Sequence, residues 1–187
     1  MASRREWLDE GMSVLAELGT PGLRIDRLSA RLGATKGSFY HHFDGMPGYQ
    51  RELLAHLEHQ LTTRFIDEVE RSGSIDARAK LDRLMDLVLA RDDTSIEVAV
   101  RAWASQDRHA EATQRRTDAT RVDYLRALLE QLGHNGARAL ELARTLYLIL
   151  IGSAHIVPPL SPPEIGRLWR VALHAAEHEV RPPGPPA

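Results

Sequence analysis

Apolar residues recur at every third or fourth position along nearly the whole chain, which is the spacing of one face of an α-helix. Gly and Pro clusters interrupt this pattern, and strand-like runs of Val, Ile, Thr and Tyr are missing. The interruptions give nine predicted helices. Eight are expected at approximately residues 4–18, 36–42, 49–71, 76–90, 94–105, 108–132, 136–155 and 161–180, and a short second helix places Leu28 and Leu32 one turn apart. We therefore predict an all-α fold.

The nine helices fall into two groups. Three near the start predict a small domain over residues 1–47, and six more predict a helical bundle over residues 48–181. Capping boxes at Thr94–Glu97 and Ser161–Glu164 are expected to begin two of the later helices. The final stretch, residues 182–187, is almost entirely Pro and Gly and is predicted to be disordered or polyproline-like.

Composition limits the classes of protein that the sequence allows. A hydrophobic fraction of 43% in 187 residues is enough for a real core, and the absence of cysteine excludes disulfides and thiolate metal sites. The most apolar stretch, residues 146–157, is too short to span a bilayer, and the first residues lack the apolar segment of a signal peptide. We expect a cytoplasmic protein without a membrane partner.

The charge distribution is more informative than the net charge of −2. Residues 21–43 carry four basic side chains against one carboxylate, and these charges are Arg24, Arg27, Arg31 and Lys36 against Asp26. A local basic patch on a nearly neutral protein fits a small DNA-binding surface, although such residues on a helix are often simply solvated.

Residues 24–43 have the layout of a helix-turn-helix, in which two short helices flank a tight turn at Gly33. The second helix of this motif normally lies in the major groove. Phe39 and Phe43 are four residues apart and are expected to anchor this helix in the core. The opposite face presents a cation, a glycine, a phenol and an imidazole, at Lys36, Gly37, Tyr40 and His41.

The string from Leu28 to Phe43 resembles the signature of the TetR family of bacterial transcriptional regulators, with its Gly-x-[Ser/Thr]-Lys-Gly-x-x-Tyr-x-x-Phe core. The N-terminal position and the number of helices also match that family. The resemblance implies a helix-turn-helix domain that binds double-stranded operator DNA, followed by a regulatory and dimerisation core. On this basis the expected DNA contacts are Arg24, Thr35, Lys36, Gly37, Ser38, Tyr40, His41 and Tyr49.

Two positions depart from the family pattern. Arg24 stands where the family often has a capping Thr, so it is expected to lose a cap and to reach a phosphate instead. Met46 stands where the family commonly has a Lys that touches the DNA backbone. That contact is therefore assigned to Tyr49 or to the amides that begin the fourth helix.

The resemblance also implies a homodimer formed by the last two helices, which are apolar over much of their surface. The expected interface residues are Leu140, Ala143, Leu150, Ile165, Leu168, Trp169, Ala172 and Ala176. The alternative is that these helices only complete the core of a monomer. A dimer would bind a palindromic operator, most simply as a repressor.

A small-molecule effector is a further implication, since regulators of this family commonly bind one in their helical core. The candidate lining residues are large side chains of the central helices, Met85, Val88, Trp103, Tyr124 and Tyr147. Each could equally be ordinary core. The effector would shift the chain toward a state with lower operator affinity.

Three other classes of function compete with this interpretation. His56 with His59, and His174 with His178, have helical spacing that suits two metal ligands, but a third ligand is not evident. An enzyme is not indicated, because the sequence contains no nucleophile elbow, phosphate loop or dinucleotide-binding glycine run, and no cofactor is implied. A helical ligand carrier with a degenerate DNA-binding module would explain the core but not the pattern of residues 36–43.

Overall fold

The computed structural model describes residues 2–71, 73, 76–91 and 95–180, and these contain helices and connecting turns but no strand. The first helices are α1 (Arg4–Leu18), a 3₁₀ turn (Thr20–Gly22), α2 (Ile25–Leu32), α3 (Lys36–His42), α4 (Gly45–Glu58), a π-turn (His59–Thr63) and α5 (Arg64–Arg71). The remaining helices are α6 (Ala77–Leu89), α7 (Ser95–Ala104), α8 (Arg108–Gln131), α9 (Gly136–His155) and α10 (Pro162–Val180). When α4, the π-turn and α5 are counted as one helix, these ranges form the nine predicted helices.

Local sequence explains where α1 begins and ends. The Ser3 hydroxyl accepts a hydrogen bond from the Glu6 amide at 3.3 Å, and the Glu6 carboxylate accepts one from the Ser3 amide at 2.6 Å. This reciprocal capping box satisfies two amides that the first helical turn leaves without partners. Gly19 ends the helix with a φ of 65°, a conformation that residues with a Cβ rarely adopt. The predicted bounds of this helix are confirmed.

The chain divides into two compact units, of which the first comprises Met1–Arg64 and Asp93–Thr117. In this unit α1 packs against α2, α4 and α7. Its core contains Trp7, Leu15, Phe39 and Leu53, all fully buried, together with Trp103 of α7. Because α1 contacts three helices, it is the central support of the helix-turn-helix.

The second unit comprises Phe65–Asp92 and Asp118–Ala187, and in it α10 packs against α9 and α6. Its apolar core includes Leu81, Leu128, Leu146 and Trp169, each with no more than 1% of its surface exposed. Asn135 caps α9, because its Oδ1 accepts a hydrogen bond from the Arg138 amide at 3.0 Å. None of the helices in the described ranges has the length and apolarity needed to cross a membrane.

The fourth helix differs from its prediction in two respects. It begins at Gly45 rather than Tyr49, because Pro47 lies in the first turn, where a missing amide hydrogen costs nothing. It is also interrupted by the π-turn His59–Thr63, whereas the apolar spacing predicts an uninterrupted α-helix.

The structure describes the two predicted capping boxes and the predicted C-terminal tail to different extents. Thr94, which would begin one capping box, and the tail 182–187 lie outside the described residues. The glutamate half of the other box is present, since Glu164 Oε2 accepts hydrogen bonds from the Ser161 amide at 2.9 Å and the Ser161 hydroxyl at 2.5 Å. The division into functional domains at residues 47 and 48 stays a prediction, because compactness alone does not test it.

Candidate nucleic-acid interface

The turn between α2 and α3 sets the position of the candidate recognition helix. Gly33 has the left-handed conformation, with φ 58° and ψ 30°, and the Ala34 amide donates to the Ser29 carbonyl at 2.9 Å. Thr35 then caps α3, because its Oγ1 accepts a hydrogen bond from the Ser38 amide at 3.2 Å. A hydroxyl that accepts one hydrogen bond can still donate its own hydrogen, so Thr35 remains able to contact a phosphate oxygen.

The inner face of α3 is held by aromatic rings. Phe39 is fully buried, and its ring centroid lies 5.3 Å from that of Trp7, 5.2 Å from that of Phe43 and 5.3 Å from that of Tyr49. Centroid distances of this size are favourable for aromatic pairs. The prediction that Phe39 and Phe43 anchor α3 in the core is confirmed.

The outer face of α3 carries Lys36, Gly37, Tyr40 and His41, which are all exposed. Tyr40 has 60% of its surface exposed, and its ring stands edge-on to Phe39 at 5.6 Å. A Cβ on Gly37 would meet only Thr35 Oγ1, at 3.7 Å, so packing within the chain does not require glycine there. The structure therefore brings these four predicted residues together on one accessible surface.

Two predicted DNA contacts are wrong as side-chain contacts. Tyr49 is fully buried and its hydroxyl donates to the Trp7 carbonyl at 2.9 Å, while Ser38 is only 6% exposed. Burial raises the pKa of Tyr49 above its usual range, so the phenol stays protonated. Because α4 begins at Gly45, Tyr49 falls in its second turn and faces the core.

Ion pairs change the basic patch that the sequence predicts. Arg31 is held by two carboxylates of α1, with Nη1 2.7 Å from Glu17 Oε2 and Nε 2.5 Å from Glu10 Oε1. Its charge is therefore neutralised within the chain. Lys36 forms an ion pair with Asp26. Arg24 is exposed at the start of α2 and makes no side-chain cap, as expected for this departure from the family pattern.

Residues at the start of the chain also contact the end of α3, and the sequence did not predict these contacts. His42 Nε2 donates to the Ala2 carbonyl at 2.9 Å, and the Arg4 guanidinium lies 5.7 Å from the centre of the Phe43 ring. Arg4 also donates to Glu52 of α4 at 2.6 Å. None of these three contacts could be found from periodicity, because the partners are at least 39 residues apart in the chain.

A family model describing bacterial regulatory proteins of the tetR family matches residues 8–48, which span α1, α2, α3 and the beginning of α4. Residues 8–48 are therefore similar to the domain that this family model describes. The resemblance noted from residues 28–43 is confirmed, and the matched segment includes the entire exposed surface of α3.

A relative with a similar sequence matches a longer stretch than this domain. The chain is 29% identical over 82 residues to the uncharacterised HTH-type transcriptional regulator TtgW of Pseudomonas putida. That match covers 43% of this chain and 61% of TtgW, which is less than two thirds of the relative's length.

Solved structures share the whole fold. A transcriptional regulator from Rhodococcus sp. Rha1 superposes with a TM-score of 0.77 at 22% identity, covering 97% of this chain and 100% of the other. A TetR transcription regulator from Haloarcula marismortui gives a TM-score of 0.73 at 21% identity, covering 93% and 96%. A protein from Saccharomonospora viridis, solved in complex with choline, gives 0.71 at 18% identity, covering 94% and 95%. The all-α TetR-like fold is confirmed.

The predicted pocket residues are divided between the two units. Trp103 is 5% exposed and belongs to the core of the first unit, whereas the other four lie in the second. Tyr147 Oη donates to Asp118 at 2.6 Å and accepts from Arg121 at 3.3 Å, and Tyr124 Oη donates to Glu70 at 2.7 Å. Both phenols are therefore paired within the chain. Met85 is buried and Val88 is half-buried.

The predicted dimer residues separate into buried and accessible groups. Four are at most 5% exposed and belong to the chain's own core, so their assignment to an interface is wrong: Ala143, Ile165, Trp169 and Ala176. Leu140, Leu150 and Ala172 are half-buried, and Leu168 is 45% exposed. Two further accessible apolar side chains of α9 and α10 were not among the predicted residues, Leu148 at 66% exposed and Val171 at 67% exposed.

The two histidine pairs that suggested a metal site have other surroundings. His56 Nε2 lies 2.7 Å from Asp9 Oδ1, while His59 is exposed in the π-turn. The side chain of His178 lies outside the described part of the chain. Within the part that is described, no group of three His, Asp or Glu side chains could hold a metal ion.

Proposed function

We propose that this chain is a homodimeric, DNA-binding transcriptional regulator that places α3 in the major groove of a palindromic operator. The observation that supports this most directly is the division of α3 into two faces. Phe39 fixes the inner face among aromatic rings, and the outer face exposes Lys36, Tyr40 and His41. In this proposal residues 1–47 bind DNA, and residues 48–181 form the regulatory and dimerisation domain.

Each exposed group has a chemically suitable role. The ammonium of Lys36 and the guanidinium of Arg24 suit phosphate oxygens, and the hydroxyl of Thr35 suits a phosphate at the start of the helix. Gly37 allows the DNA backbone to approach closely because it has no side chain. Tyr40 and His41 carry hydrogen-bonding groups that can reach either phosphates or base edges.

The proposal is tested by selecting bound sequences from random double-stranded DNA with the purified protein, at moderate and at high salt. We expect a palindrome with two half-sites, and an affinity whose logarithm falls by about 0.9 per phosphate contact for each unit of log salt concentration. Recovery of no sequence above background from folded protein would contradict the proposal.

Variants of the outer face localise the activity. Tyr40→Ala and His41→Ala should weaken operator binding without changing helix content or oligomeric state, because both side chains are exposed. His109→Ala is a matched control, since His109 is an exposed helical histidine of α8. Normal binding by both α3 variants would overturn the site assignment while leaving the family assignment intact.

The proposed dimer uses the accessible apolar residues Leu148, Leu168 and Val171 of the last two helices. A two-fold axis would bring this surface against its own copy and remove the exposed side chains from water. Leu148→Asp and Val171→Asp should yield monomers in analytical ultracentrifugation, whereas Ala127→Asp on the exposed side of α8 should not. Unchanged dimers in both variants, or a wild-type monomer, would contradict this part of the proposal.

We also propose that the chain is a repressor released by a small organic effector. The choline bound to the similar protein from Saccharomonospora viridis supports a ligand in a fold of this kind. An effector should lower operator affinity by about 5- to 150-fold. A compound library screened by thermal shift, followed by operator titration, tests this, and ligands that raise Tm but leave operator affinity unchanged would oppose it.

A further inference from the structure

We propose that Asp26 competes with DNA for Lys36, so that this carboxylate limits how tightly the recognition helix binds nucleic acid. The inference rests on the proposed DNA-binding function and adds a residue that controls it. Asp26 is in the first turn of α2, and Lys36 is the first residue of α3.

The geometry places the two charges in direct contact. Lys36 Nζ pairs with Asp26 Oδ1, and each side chain has 65% of its surface exposed. The turn at Gly33 lies between α2 and α3, and across it the first turn of α2 meets the first residue of α3. The hydrogen bond from Lys36 lowers the pKa of Asp26, which therefore carries its full charge at neutral pH.

The Asp26 carboxylate lies in a segment of the sequence that is otherwise basic. Asp26 is the only acidic residue between positions 21 and 43. Arg31 is held by Glu10 and Glu17, so Lys36 and the nearby Arg24 and Arg27 remain as the cations of the motif that can face phosphate. Asp26 thus pairs with one of three such cations, and its own charge also repels an approaching phosphate.

DNA phosphates can displace the Asp26 carboxylate from Lys36. An exposed ion pair is weak because water screens both charges, whereas a duplex offers a dense row of phosphates and releases counterions when a cation binds. Binding therefore replaces the Asp26 carboxylate with a phosphate at Lys36. Because the ion pair between Lys36 and Asp26 is lost, the contact between Lys36 and phosphate contributes less binding free energy. This reduction applies to DNA of random sequence as well as to the operator.

A double-mutant cycle on the whole 187-residue chain separates this effect from simple charge repulsion. The proteins are wild type, Asp26→Asn, Lys36→Gln and the double variant, titrated by fluorescence anisotropy with the selected operator and with a duplex of random sequence. We expect Asp26→Asn to bind both duplexes about two- to fivefold more tightly per chain, the range that corresponds to losing one exposed ion pair. The gain should be smaller in the Lys36→Gln background, where only the effects of the Asp26 charge on phosphate and on Arg24 remain, and it should shrink as salt rises.

Two controls complete the design. Asp86→Asn makes the same charge change at an exposed position of α6 and should leave DNA affinity unchanged. Asp26→Glu keeps the carboxylate and should bind close to wild type, and circular dichroism verifies that every variant is folded.

The outcomes distinguish this inference from the function on which it rests. If wild type binds no DNA, the proposed function fails. If wild type binds but Asp26→Asn binds equally or less tightly, or gains the same factor in the Lys36→Gln background, the competition is refuted while the DNA-binding function stands.

Discussion

Gly11 offers a quantitative test of how α1 supports the helix-turn-helix. A Cβ at this position would lie 1.8 Å from Tyr49 Oη, 3.0 Å from Tyr49 Cζ and 3.2 Å from Leu53 Cδ1. Tyr49 cannot yield easily, because it is fully buried and its hydroxyl donates to the Trp7 carbonyl at 2.9 Å. Gly11→Ala must therefore displace the ring and break that hydrogen bond.

The expected magnitude follows from three contributions. Overpacking a core costs about 1–3 kcal/mol, and leaving the buried phenol without its acceptor costs a further ~1–3 kcal/mol. Alanine returns about 1 kcal/mol through its higher helix propensity. We expect Gly11→Ala to lower the free energy of unfolding by about 3 kcal/mol.

Urea denaturation followed by circular dichroism measures this loss in the free energy of unfolding. A double-mutant cycle combines Gly11→Ala with Tyr49→Phe. Removing Oη eliminates the 1.8 Å overlap, so Gly11→Ala should cost much less in the Tyr49→Phe background. Gly37→Ala is the matched control, because its Cβ would meet only Thr35 Oγ1 at 3.7 Å. That change should stabilise the protein by up to about 1 kcal/mol. An equal cost of Gly11→Ala in both backgrounds, or a stabilising effect like that of the control, would refute the reasoning.

Two further predictions concern stability. The hydrogen bond from Arg31 holds the pKa of Glu17 below its usual range. Glu17 therefore stabilises the fold at pH values above its unfolded-state pKa of about 4.3. This stabilisation is lost as the pH falls through the folded-state pKa. Glu17→Gln should therefore lower the urea midpoint at pH 7, and a difference that persists unchanged at about pH 2 would contradict the linkage. Asn135→Ala removes the cap of α9 and should cost about 1 kcal/mol in chemical denaturation, whereas Asn135→Asp should cost little because it keeps the acceptor. Equal losses for both Asn135 variants would argue against capping.

The periodicity of the sequence predicted the features that depend on neighbouring residues in the chain, namely the positions of the helices and the faces of α3. The spacing of apolar residues located the helices, and the four-residue interval between Phe39 and Phe43 identified the inner face of α3 before any neighbour was known. The same interval placed Lys36 and Tyr40 on the outer face, where both are exposed. Such predictions succeed because a helix determines which residues share a face.

Partners that come from distant parts of the chain could not be predicted in this way. Tyr49 looks like a surface residue after a Pro-Gly break, but Trp7 and Gly11 of α1 form the site that buries it. Trp103 was assigned to a pocket because it is large, yet it fills the core of the first unit. The apolar residues Trp169 and Leu168 are adjacent in sequence, and only their packing shows that one is buried and the other accessible.

The contact between Ala2 and α3 has a practical consequence for anyone who purifies this protein. The Ala2 carbonyl accepts a hydrogen bond from His42, the last residue of α3, so residues fused ahead of Ala2 would emerge next to the surface proposed to meet DNA. A polyhistidine tag at that end would add imidazoles, and cations at mildly acidic pH, within reach of the same phosphates. Affinities measured with such a tag would include its contribution, so binding studies should begin with tag-free protein.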